Sequence, residues 1–374
     1  MKGLIDSTLR EGGQMAGVSF SLDDKKRIFT NLVQIGIEEI EIGVATSYDP
    51  DLVKLINFCR VMSPETRIAL WSPCRTENIN FATQLKADVL SLSIPTSEIL
   101  IKKKLRRDTT WVLRTLQRSI KLAQKNGINF ISLGLEDATR AEPGFLKELI
   151  LTASSSGALR IRLADTIGIA SPQDIIELMR VVRLYYHGDI GVHMHNDFGM
   201  ATANSISALD AGAEYADVTV LGIGERAGNA KLEEIVGFLS FRNGRPYKTT
   251  ALKPLAELMA HLIGRETSLT QPVIGAHIFH CESGLHLQGL RKDTSTYEPF
   301  SPEKVGAKRQ LLYGTKIGKR EIKDSLEPMG INLPVDQLSN LAGEIHQIAS
   351  QLNRPLLQKE FNYLLTSIHD NHFL

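Results

Sequence analysis

The chain has 374 residues, more than one average domain, and its 43% hydrophobic and 23% charged content is that of a globular protein rather than a disordered or collagen-like one. Forty-three Lys and Arg stand against 42 Asp and Glu, a net charge of +1, which excludes the electrostatic footprint of a general nucleic-acid binder. No stretch approaches the roughly 18 apolar residues of a membrane span, and Cys59, Cys74 and Cys281 are too scattered for a disulfide framework or a thiolate cluster.

Asp6 interrupts the N-terminus before a secretory apolar region forms, so a soluble cytoplasmic enzyme is the expectation. From the first residues to about 241, short β-branched runs alternate with amphipathic stretches. Strands are predicted over 4–7, 39–43, 67–71, 89–94, 129–135, 159–164, 189–193 and 215–220. Helices are predicted over 23–34, 51–61, 79–84, 109–125, 145–154, 172–182, 202–210 and 232–239. Ser21 with Asp24 reads as a capping box, and Ser171-Pro172-Gln173-Asp174 sets a cap, a first-turn proline and an acidic third position in order. Strands that alternate with helices pair in parallel, because each crossover needs a helix-length connection. Eight such units in about 240 residues predict an α/β fold, a (β/α)8 TIM barrel; a doubly wound open sheet would use six or fewer. Residues 242–269 then read as helical, 271–312 as Gly-, His- and Pro-rich without a period, and 322–368 as helical again. The expected division is a catalytic barrel over 1–265, a linker subdomain over 266–320 and a small helical C-terminal subdomain over 321–374.

In such a barrel the working residues come from the loops after the strands. Five predicted strand ends carry charged or metal-capable groups, starting with Arg10, Glu11 and Gln14 after the first. Glu136 to Arg140 follow the fifth, Asp165 and Thr166 the sixth, His193 to Asp197 the seventh, and Gly222 to Asn229 the eighth. His193 and His195, two apart on a strand, point the same way. With a carboxylate from elsewhere they make a divalent-metal site with open positions. Glu11 is the expected third ligand, since barrel closure brings the first strand near the seventh, and Asn229 would add an amide oxygen. A lone His-x-His is more often structural; its place at a strand end argues for the metal. Arg10 would stabilise a developing oxyanion or pair with Glu136 or Asp165. Glu136 reads as a general acid/base or as the partner that orients Arg10, and Thr166 as a hydroxyl donor to a substrate carboxylate. The Gly222-x-Gly224 turn lacks the third glycine of a dinucleotide loop and reads as a close backbone approach. Lys102 to Arg107, five cations in six residues, is a solvated face or a grip for a distal carboxylate or coenzyme A phosphates.

Leu9-Arg10-Glu11-Gly12-x-Gln14, with Lys25 after ten residues, is similar to the first signature of the 2-isopropylmalate/homocitrate synthase family. Ile190-x-x-His193-x-His195-Asn196-Asp197-x-Gly199-x-Ala201-x-Ala203 resembles the second. The blocks at 136–140, 164–168 and 222–229, then Gly284-Leu-His286 and Tyr297-Glu298-Pro299, resemble further family segments in order, most closely homocitrate synthases of the nitrogen-fixation type. The resemblance implies condensation of acetyl-CoA with a 2-oxo acid, 2-oxoglutarate first, then thioester hydrolysis. It implies a divalent ion (Zn, Mn, Mg or Co) on Glu11, His193, His195 and Asn229. Arg10, Gln14, Thr166 and Lys102 would contact the acceptor, Glu136 would belong to the acid/base set, and His286 assisted by Tyr297 would enolise acetyl-CoA. It further implies a domain-swapped homodimer. Cys281 stands where the family usually has His, Gly314-Thr-Lys-Ile-Gly318 replaces a common Gly-Lys-His-Ser-Gly, and Gln288-Gly289 replaces Asp-Gly. Other readings of the same residues are a synthase using pyruvate, 2-oxoisovalerate or a phosphonate-bearing oxo acid, a carbon–carbon lyase of the same barrel, a non-haem iron oxygenase, and a binder without turnover.

Overall fold

A computed structural model describes residues 1–282 and 284–371. Eight parallel strands close into a barrel in sequence order: β1 Gly3–Asp6, β2 Glu39–Val44, β3 Arg67–Pro73, β4 Val89–Pro95, β5 Ile131–Glu136, β6 Arg160–Asp165, β7 Asp189–Met194 and β8 Tyr215–Val218. The crossover helices are α1 Leu22–Ile35, α2 Leu52–Met62, α3 Thr76–Leu85, α4 Thr109–Lys125, α5 Pro143–Ser156, α6 Pro172–Arg183 and α7 Ala201–Asp210. The helices α8 Leu232–Asn243 and α9 Leu252–Leu262 follow the last strand. Both expected capping boxes form, Ser21 with Asp24 and Ser171 with Asp174. Elements differ from expectation at their ends: α3 begins three residues earlier than the sequence pattern, α8 runs on to Asn243, the helical reading of 242–269 after that yields α9 as its one α-helix, and β8 stops at Val218 where a short helical turn, Val220–Gly222, takes over. Leu221 sits at φ 56° in that turn, so the chain leaves extended geometry despite its β-branched run.

Strand side chains alternate between the two faces of the barrel wall. Ile40 and Ile42 of β2, Leu133 and Leu135 of β5, and Ile161 and Leu163 of β6 are buried beneath the helices. The intervening Glu39 and Glu41 of β2 meet Arg160 and Arg162 of β6 across the interior. Barrels of this kind usually fill their interior with branched apolar side chains; this one fills much of it with paired charges.

The chain divides into two compact units, Met1–Glu266 and Thr267–Leu374. Among its described residues the second contains a two-stranded parallel sheet, β9 His280–Cys281 and β10 Gln310–Leu311, and the α-helices α10 Gly284–Lys292, α11 Lys319–Leu326, α12 Val335–Leu352 and α13 Gln358–Asn371. The segments on either side of residue 320 share one apolar cluster, in which Tyr313 and Ile317 pack with Ile322, Leu326, Leu341 and Phe361. No helix among the described residues is long and apolar enough to cross a membrane.

Candidate metal and catalytic centre

Parallel closure puts β1 beside β8 and β8 beside β7. The turn after β1 therefore meets the end of β7 at the C-terminal rim. There the ligating atoms of Glu11, His193 and His195 all lie within 4.8 Å of one another, and all three residues are buried. Glu11 Oε1 is 3.7 Å from His195 Nε2 and 4.0 Å from His193 Nε2. Donors that share one ion at about 2.0–2.2 Å stand roughly 3–4 Å apart, so this spacing suits a metal.

Asn229 stands beside His195 at the same rim. It bridges His195 through the backbone, donates Nδ2–H to the Ile223 carbonyl at 3.2 Å, and leaves its buried Oδ1 without a hydrogen-bond partner. A buried oxygen with no partner needs an explanation, and an ion held with Glu11 and the imidazoles supplies one. Gly224 makes the approach possible: a Cβ there would stand 2.1 Å from Asn229 Nδ2 and 3.4 Å from Glu11 Cγ. The glycine turn is thus the close backbone approach expected from the sequence.

Both imidazoles are held in the neutral form, the one in which a ring nitrogen can bind a metal. Burial lowers His195 to about 2, reinforced by the charges of His193, Arg226 and Arg10. Burial also lowers His193, against the pull of Asp217. Asp217 Oδ2 lies 2.8 Å from His193 Nδ1, and a carboxylate only accepts, so Nδ1 carries the proton and Nε2 faces Glu11.

Arg10 is buried between Glu11, with which it pairs, and Glu41, whose Oε1 accepts from its Nε at 2.6 Å. The sequence reading offered Glu136 or Asp165 as its partner. Instead, β1 adjoins β2, which carries Glu41, while β5 and β6 lie across the barrel. Burial works against the Glu41 charge, but Arg10 and Arg162 outweigh it and hold the carboxyl at about 2.

On the other side of the mouth, Glu136 accepts from Ser93 Oγ at 2.9 Å and from Lys104 Nζ at 3.3 Å. Lys102 pairs with Glu98, so within the basic run it is Lys104 that reaches the rim. Thr166 Oγ1 accepts the Asp137 N–H at 2.8 Å, which leaves its own proton free to donate. Arg226 ties the rim loops together, bonding both oxygens of Asp197 and the Thr166 carbonyl. Gln14, at the end of the short helical turn Gly12–Gln14, is exposed. Trp71 faces the Arg10 guanidinium, with 5.7 Å from Cζ to the ring centroid.

In the second unit His286 and Tyr297 pack together, ring centroids 4.4 Å apart. A Cβ on Gly289 would fall 2.4 Å from the Tyr297 ring, so the glycine admits that contact. Cys281 is half-buried beside His280, which stacks on His277 at 4.5 Å.

Sequence reasoning missed Glu41, Arg162, Asp217 and Ser93, and within the basic run it singled out Lys102 rather than Lys104. The signal for the first two was present: Glu39-Ile-Glu41-Ile and Arg160-Ile-Arg162-Leu alternate opposite charges at the strand period.

Residues 3–259 match the HMGL-like family, and residues 273–353 match the homocitrate synthase post-HMGL domain-like family. The chain is 34% identical to a 2-isopropylmalate synthase of Caldanaerobacter subterraneus, over 98% of this chain and 95% of that protein. It is also 34% identical to the homocitrate synthase AksA of Methanothermobacter thermautotrophicus, over 91% and 88% of the two chains. A crystal structure of HMG-CoA lyase from Brucella melitensis superposes with a TM-score of 0.63 at 20% identity, covering 70% of this chain and 99% of that one, a likeness of fold.

Proposed function

The chain belongs to the 2-isopropylmalate/homocitrate synthase family of HMGL-like barrels, and from that membership we propose that it condenses acetyl-CoA with a 2-oxo acid and hydrolyses the resulting thioester. The observation that carries this reading is the convergence of Glu11, His193 and His195 at one point of the barrel rim, with Asn229, whose buried Oδ1 has no hydrogen-bond partner, bridged to His195 through the backbone. Two imidazoles with two oxygens suit Zn, Mn, Mg or Co. The bound ion would act as a Lewis acid toward the 2-oxo acid's carbonyl oxygen.

The remaining roles follow from placement and chemistry. Arg10, kept cationic between two carboxylates, would stabilise the alkoxide that forms when the acetyl carbon attacks the carbonyl carbon. Thr166, its hydroxyl proton free, and Gln14 would hold the acceptor's carboxylate. Glu136 would exchange protons with the reacting oxygens, its charge moderated by Lys104. His286, assisted by Tyr297 whose ring packs against it, would remove a methyl proton from acetyl-CoA, a task open to an imidazole nitrogen acting as a base. We take the working unit to be a homodimer in which these two residues serve the partner's barrel. Water then cleaves the thioester and frees CoA. A divalent ion would join Arg10 and Arg162 against Glu11, Glu41 and Asp217 at the rim and leave that ion-paired cluster with an excess of one positive charge. That excess favours an anionic acceptor.

We take 2-oxoglutarate as that acceptor, to give homocitrate, because Lys104 offers a cation at the end of β5 where a second carboxylate would need one. The test is CoA release by the metal-loaded chain with 2-oxoglutarate, pyruvate and 2-oxoisovalerate in parallel. The fastest release is expected with 2-oxoglutarate; another order moves the specificity, and release with none of them ends the synthase reading.

A further inference from the structure

Six side chains lie on a path that nearly closes on itself. Glu11 pairs with Arg10, Arg10 with Glu41, and Glu41 Oε2 accepts from Arg162 Nη1 at 3.0 Å. The same Nη1 lies 3.1 Å from Asp217 Oδ2, which takes the His193 Nδ1 proton at 2.8 Å. His193 Nε2 then faces Glu11 Oε1 across a 4.0 Å gap. One nitrogen of Arg162 is therefore the sole junction on this path between the half that holds Arg10 and the half that holds His193. It enters from β6, opposite the gap, and the residue is buried.

We propose that Arg162 is a positioning residue: through Glu41 it aims Arg10, and through Asp217 it aims His193, so that the cation and the metal ligands of the site keep a fixed separation. The inference rests on the reading that Glu11, His193 and His195 hold a metal. Without the Arg162 charge, Glu41 and Asp217 face each other's side of the barrel with no common partner. Each is then free to draw its own partner off line, Arg10 in one case and the His193 ring in the other. Arg162 touches none of the groups assigned to the substrates, so its effect would travel through these two carboxylates.

The test uses the full chain stripped of metal, titrated with Co2+ and followed by calorimetry and by the visible ligand-field spectrum, with thermal melting as a check on folding. Arg162→Gln is expected to weaken Co2+ binding on the order of 10–100-fold, the range seen when the groups supporting a metal ligand are lost, and to alter the spectrum. It should lower kcat more than it raises KM for the 2-oxo acid. Arg162→Lys puts one ammonium where one nitrogen made both contacts, and should recover Co2+ affinity to within a few-fold of wild type. Folded Arg162→Gln that binds Co2+ with wild-type affinity and spectrum overturns the inference alone. Failure of the wild type to bind Co2+ overturns the metal reading, and this inference with it. If Arg162→Gln does not fold, the charge-neutral pair Glu41→Gln with Arg162→Met is compared with Glu41→Gln. Weaker Co2+ binding in the pair supports the role, and equal binding overturns it.

Discussion

Asp217, at the third position of β8, holds Nδ1 of His193 on the neighbouring β7 at 2.8 Å, and so decides which nitrogen of that ring faces Glu11. Only β8 separates β7 from β1, so the residue that orients His193 sits on the strand between the two segments that carry the proposed ligands. Asp217→Asn keeps the shape and removes the charge. The expected outcome is a metal affinity lower by about 10–100-fold, read at a temperature where the variant is folded. Competition against a chelator of known affinity measures it, and wild-type affinity in the variant would show that His193 is oriented by other means.

Asn229 and Gly224 make a paired test of the fourth ligand. His195→Ala removes an imidazole and should cost the most metal affinity. Asn229→Ala removes the carboxamide, the buried Oδ1 together with the Nδ2 that bonds the Ile223 carbonyl, and should cost less. Gly224→Ala leaves every proposed ligand in place but drives a methyl group to 2.1 Å from Asn229 Nδ2 and 3.4 Å from Glu11 Cγ. It is therefore expected to match Asn229→Ala or exceed it. Calorimetric titration of the three variants orders them, and a Gly224→Ala protein that binds metal like wild type would show that Asn229 has no part in the site.

Much of this centre was legible before any coordinates. His193 and His195 announce themselves by strand period, Glu11 by its place after the first strand, and Asn229 by its glycine turn, because all four lie at strand ends or in the loops that follow, whose order around a closed barrel follows from sequence order. Arg10's partner was not legible in the same way. Choosing Glu41 over Glu136 or Asp165 requires knowing that the charges of β2 face inward, and an inward charge contradicts the usual apolar filling of such barrels. The alternation Glu39-Ile-Glu41-Ile gains that meaning only when set against Arg160-Ile-Arg162-Leu, 121 residues later in the chain. Lys102 and Lys104 illustrate a finer limit. They lie two apart in a helical turn and diverge, one to Glu98 and one to Glu136, a difference that composition cannot carry.

Glu233 gives the fold a pH dependence of predictable sign. It is buried in the first turn of α8, accepts the Leu221 N–H at 3.1 Å, and is pushed up to about 7 by burial from an ordinary 4.5. A carboxyl that holds its proton more tightly when folded contributes stability that is complete below about pH 4.5 and is lost as the pH rises through about 7. The rise corresponds to about 3 kcal/mol at most. Glu233→Gln keeps an acceptor for Leu221 and cannot ionise. Urea midpoints of variant and wild type should therefore separate between pH 5 and pH 8, with the variant the more stable at the alkaline end. Parallel curves would mean that Glu233 does not titrate in that range.

The two inward pairs of β2 and β6 predict different consequences, although they are two residues apart and chemically alike. Glu39 and Arg160 open their strands, at the end of the barrel away from the rim. There Arg160 is wholly buried, bonds both Glu39 oxygens at 2.5 and 3.1 Å and Ser132 Oγ at 3.0 Å, and lies against the Tyr215 ring. Nothing in that set leads to Glu11, His193 or His195. Arg160→Met leaves the buried Glu39 with Arg67 alone, at 3.4 Å. Removing one member of a buried pair costs on the order of 3–5 kcal/mol, because the charge that remains is desolvated. Adding Glu39→Gln should recover much of that loss, since the second substitution removes the stranded charge. Urea unfolding of the single and double variants measures both steps. Metal affinity at low denaturant should be unchanged in each, which separates this pair from Glu41 and Arg162 one layer above. If Arg160→Met weakens metal binding as much as Arg162→Gln does, the interior charges act as one continuous unit, and the division between a stabilising layer and a positioning layer fails.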